Sequence, residues 1–304
     1  METVLKTEEL TKAFGKRTVV NEISMTIHRG DIYGFIGKNG AGKTTFMRLI
    51  LGLALPDKGT VSLFGGEDRR TAGMKIGSMI EAPALYGGCT ALENLRRFAL
   101  ISRSIKDTGE TDDRQLMELL ELVGLQDAGK KPAGNFSLGM KQRLGLAVAL
   151  LGNPEFLVLD EPVNGLDPAG IKSFRDTIRT LNQEKCVTFL ISSHLLDELS
   201  KTVTRYGIIN DGVLVEEIDK KDLEEQFRRN ITITVDDPQR AAGILQGMIP
   251  DGEIVVNGDV LTVYSHQYEA AALNRALVEN GLQVSGLNTH VNDIETFFLE
   301  RIGE

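Results

Sequence analysis

The chain has 304 residues, 41% hydrophobic and 25% charged, enough for one large soluble domain plus a small one, each with its own core. A net charge of −9 disfavours a broad nucleic-acid-binding face, and two distant cysteines, Cys89 and Cys186, suit a reducing cytoplasm and argue against a disulfide framework. The longest apolar run, Leu144 to Leu151, is broken by Gly145 and is far shorter than the roughly 18 residues of a spanning helix; Met1-Glu2-Thr3 opens no secretory signal.

Residues 3 to 35 read as strands, with Ile23, Met25 and Ile27 alternating ahead of a turn at Arg29-Gly30-Asp31. Phe14 precedes that sheet as an isolated aromatic. Ile32 to Ile36 reads as a buried strand, and apolar residues at helical spacing run up to Leu51. Between them, Gly37-Lys38-Asn39-Gly40-Ala41-Gly42-Lys43-Thr44-Thr45 contains G-x-x-x-x-G-K-[ST], the phosphate-binding loop. Its glycines let the backbone approach phosphates, and successive amides at a helix N-terminus make a cationic cradle. Lys43 is expected to reach the β- and γ-phosphates, and the Thr44 hydroxyl to coordinate Mg²⁺.

Thr60 to Phe64 and Lys75 to Ile80 read as short strands, the second running into Glu81-Ala82-Pro83. From Thr90 to Gly152 the spacing turns helical over Ala91–Ile101, Asp113–Val123 and Met140–Leu151, which predicts a helical subdomain inserted between strands. Phe156 to Leu159 restores an apolar strand that ends in Asp160 and Glu161, where open α/β sheets bind their ligands. Asp160 is placed to hold Mg²⁺ through water, leaving Glu161 to orient or deprotonate an attacking water. Pro168 to Leu181 reads as a helix with proline at its start, and the strand Val187 to Ser192 leads to His194, at a strand end of the same sheet as Asp160. A hairpin over Tyr206–Ile209 and Val213–Glu217 and a charged helix over Lys220–Arg229 close the first domain. Beyond about residue 230 the order β-α-β-β-α-β predicts a ferredoxin-like domain, with a hairpin at Asn257-Gly258-Asp259 and a last amphipathic helix over Asn292–Ile302. His266 and His290 are isolated there, and no catalytic constellation stands out.

Phe136-Ser137-Leu138-Gly139-Met140-Lys141-Gln142-Arg143 resembles the signature of ATP-binding-cassette proteins, usually Leu-Ser-Gly-Gly-Gln, and precedes Asp160 at the family's spacing. Asn164-Gly165-Leu166-Asp167-Pro168 looks like the family's D-loop, His194 falls on its switch histidine, and Phe14 on its adenine-stacking aromatic. The resemblance covers residues 1 to about 228 and implies an α/β cassette fold with a helical subdomain (about 90–152), the remaining residues 229–304 forming an α+β accessory domain. It also implies ATP and Mg²⁺ as cofactors and a head-to-tail dimer, homo- or heterodimeric. In that dimer Ser137, Gly139 and Asp167 of one chain face nucleotide held on the other. Leu138 and Met140 depart from the usual glycine and glutamine, and Glu81 stands where the family's loop glutamine does.

These variants resemble the branch serving bacitracin resistance and lantibiotic self-immunity. That likeness implies an ATPase subunit at the cytoplasmic face of the membrane, driving export of an antimicrobial peptide or drug through separate membrane permease subunits and binding no nucleic acid. Within it, the Glu81 carboxylate adds a charge near the γ-phosphate that is expected to bind Mg²⁺ more firmly, or to repel the phosphate when the metal is absent. The family's contact of this loop with the membrane subunit implies a coupling role; the alternative is that Glu81 behaves as glutamine would. A soluble cassette ATPase of repair or translation is the rival reading; it lacks support from any long coiled-coil insertion or second cassette. The C-terminal domain is read as steadying the dimer, with a sensor role as the alternative.

Overall fold

The computed structural model describes residues 2–101, 112–194, 201–226, 230–249, 252–264 and 268–290. They belong to two compact units, Met1–Lys220 and Lys221–Glu304.

In the first unit, strands β1 (Thr3–Phe14) and β2 (Arg17–His28) form an antiparallel hairpin. After β3 (Ile32–Ile36) and helix α1 (Lys43–Ile50), β4 (Lys58–Leu63) adds to β1, giving a three-stranded sheet in the order β2-β1-β4. A second sheet is built on β3 with β5 (Ile76–Met79), β6 (Phe156–Leu159), β7 (Thr188–Ser193), β8 (Arg205–Asn210) and β9 (Val213–Asp219), in the order β5-β6-β7-β3-β8-β9. Its first five strands are parallel and β9 returns antiparallel as the expected hairpin. Every residue of β3, β6 and β7 is buried, as the unbroken apolar runs require of strands covered on both faces. Helix α1 buries Phe46, Met47, Leu49 and Ile50, and the Phe46 ring lies 5.1 Å from that of Phe35 in β3.

The stretch between β5 and β6 is helical, as its spacing predicts: α3 (Ala91–Ile101), α4 (Asp113–Leu122) and α5 (Leu138–Ala149). Thr90 and Glu93 form a reciprocal capping box at α3, and Asp112 caps α4. Helix α5 starts two residues earlier than the apolar spacing indicates, because Ser137 caps it by accepting from the Met140 amide. A short helix α2 (Arg69–Met74), capped by Asp68, was not anticipated; it buries one side chain, Ala72, too few for a periodic signal. Helix α6 (Pro168–Lys185) has Asp167 as its cap and runs past Leu181.

Helix α7 (Lys220–Gln226) stands at the start of the second unit. There β10 (Asn230–Val235), α8 (Pro238–Met248), β11 (Glu253–Asn257), β12 (Val260–Tyr264), α9 (Ala270–Glu279) and β13 (Val284–His290) follow the expected β-α-β-β-α-β order. The four strands form an antiparallel sheet ordered β11-β12-β10-β13. Alternate residues Ile231, Ile233 and Val235 of β10 join Leu261, Val263, Leu245, Leu273 and Leu277 in a separate core. The helix expected over 292–302, and His266, lie outside the described residues. Among the described residues no helix is long and apolar enough to cross a membrane.

Candidate nucleotide site

The loop between β3 and α1 has the shape a phosphate cradle requires. A Cβ on Gly37 would stand 2.4 Å from the Ile209 carbonyl oxygen. Gly42 sits at φ +108°, and a Cβ there would meet the Val19 carbonyl oxygen at 2.4 Å. Neither position tolerates a side chain. Gly40 is left-handed as well, at φ +84°. Gly42 caps α1 without a side-chain acceptor, so the first helical amides are left for an anion. The loop from Gly37 through Lys38, Asn39, Gly40 and Ala41 is tied to β3's neighbours: the Gly37 amide donates to Ser193, and the Gly212 amide to Ala41. Thr45 lies in the first turn of α1.

Lys43 is only 5% exposed, and its ammonium has three neighbours. It donates to the Gly37 carbonyl at 2.6 Å and the Lys38 carbonyl at 3.1 Å, and stands 3.2 Å from Glu161 Oε1. Among the described residues that buried carboxylate oxygen has no hydrogen-bond donor, and the Lys43 charge beside it offsets its own. The other oxygen, Oε2, faces His194 Nδ1 at 2.7 Å. An ionised carboxylate can only accept, so Nδ1 carries the proton and Nε2 is left for other partners. Glu161 holds this place in a left-handed backbone conformation, φ +48°, strain of the kind that collects at functional sites.

Asp160, 4% exposed, carries a second set of contacts. Its Oδ2 accepts from the Thr44 hydroxyl at 2.7 Å and its Oδ1 from the Ser192 hydroxyl at 2.6 Å. Ser192 also accepts from the Glu161 amide at 2.9 Å. Ser192 thus braces both acids; sequence reasoning passed over it, although it is a polar interruption in the apolar strand β7. Thr44 and Asp160 present oxygen donors side by side, as a hard divalent cation requires. Among the described residues no group of three or more His, Cys, Asp and Glu side chains could hold a metal ion.

Three expected residues lie elsewhere. Ser137 and Gly139 meet Asp167 in a hollow of about 310 Å³, lined also by Leu138, Arg143, Gly165, Leu166 and Gly170, to which no residue of Gly37–Thr45 contributes. The Asp167 carboxylate is engaged by the Gly170 amide at 2.8 Å. Phe14 is 57% exposed at the tip of the β1–β2 hairpin, with the Lys12 ammonium 5.6 Å above its ring. The same hairpin reaches the loop through Val19.

Glu81 also stands apart from the acids. It follows β5 at φ +61°, and its exposed carboxylate accepts from the Arg48 guanidinium of α1 at 2.7 Å. The cation on the outer face of α1 is its partner.

The family model described as ABC transporter matches residues 20–164. Over its whole length the chain is 42% identical to the bacitracin transport ATP-binding protein BcrA of Bacillus licheniformis, covering 98% of that protein. Over 75% of its length it is 40% identical to the lantibiotic transport ATP-binding protein SrtF of Streptococcus pyogenes, covering 97% of it. A solved ATP-binding subunit of an ABC transporter superposes on 74% of this chain and 93% of its own, with a TM-score of 0.63 at 28% identity. These likenesses favour a transport ATPase over a soluble cassette of repair or translation. With phosphate loop, paired strand-end acids and signature in one fold, the chain belongs to the ABC transporter family, as its ATP-binding and ATP-hydrolysing subunit.

Proposed function

We propose that this chain hydrolyses ATP to drive export of a bacitracin-type or lantibiotic-type peptide through separate integral membrane subunits, at the cytoplasmic face. The observation that carries the chemistry is the pair of contacts Thr44–Asp160 and Lys43–Glu161, which brings a cation site and a base to one loop. The substrate class is supported by the full-length likeness to a bacitracin transport protein and the shorter one to a lantibiotic transport protein.

In this reading the amides of Gly37 to Thr45 and the Lys43 ammonium hold the β- and γ-phosphates, and Phe14 stacks on the adenine. Thr44 and Asp160 would hold Mg²⁺, which supplies positive charge to the phosphate oxygens. Lys43 stands 3.2 Å from Glu161 Oε1, so the charge that would hold the phosphates also keeps the acid beside them. Glu161 accepts a proton as the water oxygen attacks the γ-phosphorus and the bond to the ADP oxygen breaks. His194 holds Glu161 Oε2 and offers Nε2 to the γ-phosphate. Ser137, Gly139 and Asp167 of a second cassette, identical or related, close over the nucleotide, and hydrolysis lets the pair open. Glu81, on Arg48, belongs to the loop that reports nucleotide state to the membrane subunit. The C-terminal unit steadies the dimer.

Affinity purification of the tagged chain from detergent-solubilised membranes tests the transport reading. A polytopic membrane protein recovered in stoichiometric amount is the expected result; only soluble partners, or ribosomes, would overturn it.

A further inference from the structure

Leu138 replaces the glycine usual in the signature, and at 49% exposure it is not there to fill a core. Its side chain lies over Gly165: a Cβ built on that residue, at φ +74°, would stand 2.6 Å from Leu138 Cδ2. The packing is reciprocal. Leu166 lies over Gly139, whose added Cβ would be 3.4 Å from Leu166 Cδ2. Each leucine covers the glycine of the other segment, occupying the space a side chain there would take. Glu161 is at the other end of this loop. The Asn164 amide donates to the Glu161 carbonyl and the Leu166 amide to the Val163 carbonyl, each at 3.1 Å, so two overlapping turns join the acid to Leu166. Beyond them Asp167 is anchored on α6. The loop is therefore held at its end by α6, at its start by β6, and in between by Leu138.

We propose that Leu138 is a positioning residue for ATP hydrolysis: packed over Gly165, it sets the 161–166 turn and thereby the carboxylate of Glu161 in the same chain. The proposal rests on Glu161 acting as the base. The effect is read in kcat, because Leu138 reaches Glu161 through the 161–166 turn, whereas a loosened hold of the hollow on a second cassette's nucleotide would raise KM instead. Loss of the leucine frees the turn, and a displacement of the base on the order of 1 Å is enough to lower the rate by up to about 10²-fold.

The test is steady-state ATP hydrolysis by the full-length chain co-purified with its membrane partner. Leu138→Gly is expected to lower kcat about tenfold with KM within about twofold of wild type, and Leu138→Met, which keeps the volume, to recover most of the loss. Gly165→Ala carries its left-handed strain in any background but clashes only with the leucine. It should therefore cost more in the wild-type chain than in the Leu138→Gly chain, a non-additivity that independent sites would not show. A Leu138→Gly kcat within about twofold of wild type, or a raised KM at unchanged kcat, would overturn the proposal. Glu161→Gln is run alongside: wild-type hydrolysis by that variant would overturn the base assignment itself, whatever Leu138 does.

Discussion

Two glutamates follow neighbouring parallel strands at the same register. Met79 of β5 pairs with Leu159 of β6, and Glu81 and Glu161 each come two residues later, both in left-handed backbone conformations, at φ +61° and +48°. Both even bind a cation from α1: Arg48 for Glu81, Lys43 for Glu161. Their surroundings differ completely. Lys43 opens the helix at the floor of the phosphate loop and is buried, whereas Arg48 lies on the outer face in solvent. The lesson is that strand-end position makes a carboxylate available, and the dielectric around its counter-ion decides whether it is chemistry or surface.

The sharpest way to break this comparison is Glu161→Gln. If the buried acid is the base, hydrolysis falls by about 10²-fold or more while the ATP-bound dimer accumulates, as read by ATPase assay and size-exclusion chromatography. A variant hydrolysing at the wild-type rate would make the two glutamates equivalent after all. Asp160→Ala comes next. It leaves the Thr44 and Ser192 hydroxyls without their acceptor, which costs about 1–3 kcal/mol of stability on thermal unfolding, and it should abolish the Mg²⁺ dependence of nucleotide binding. Removing Mg²⁺ with a chelator from the wild-type protein should mimic the binding defect and not the stability loss.

Ser192→Ala is a milder version, since it removes a neutral hydroxyl and leaves the Asp160 carboxylate with Thr44. Unfolding stability should fall by about 1–2 kcal/mol, with a modest loss of kcat from the slackened Glu161 amide. Glu81→Gln should have the smallest effect on stability, about 0–1 kcal/mol, because both partners of the Arg48 pair are solvated. If Arg48→Ala shifts unfolding by a comparable amount and the double variant adds nothing, the pair is confirmed as the unit. A Glu81→Gln loss of several kcal/mol, or of hydrolysis on the scale of Glu161→Gln, would erase the contrast.

Most of the architecture was legible from periodicity. Short apolar runs at Ile32–Ile36 and Phe156–Leu159, bounded by turn residues, fit buried strands, and the helical spacing from Ala91 onwards marked the inserted subdomain. The second unit was read from its alternation and from Asn257-Gly258-Asp259. The misses were local. Helix α2 buries too little to leave a period, and the start of α5 was set by the Ser137 cap, which polar-apolar spacing does not register.

For the site, the sequence singled out the loop by its motif and the acids Asp160 and Glu161 by their place at a strand end, while the role expected of His194 came from the family resemblance. The tertiary structure alone decided which of them meet. Lys43 and Glu161 are far apart in the chain and 3.2 Å apart in space, and Ser192 joins two acids from a neighbouring strand. It also decided that Glu81 goes to Arg48 and that Leu138 covers Gly165, since both outcomes depend on strand register and helix facing between distant segments. A linear sequence specifies which groups are present; the dielectric and the counter-ion each one receives exist only once the sheet has brought its strand ends together.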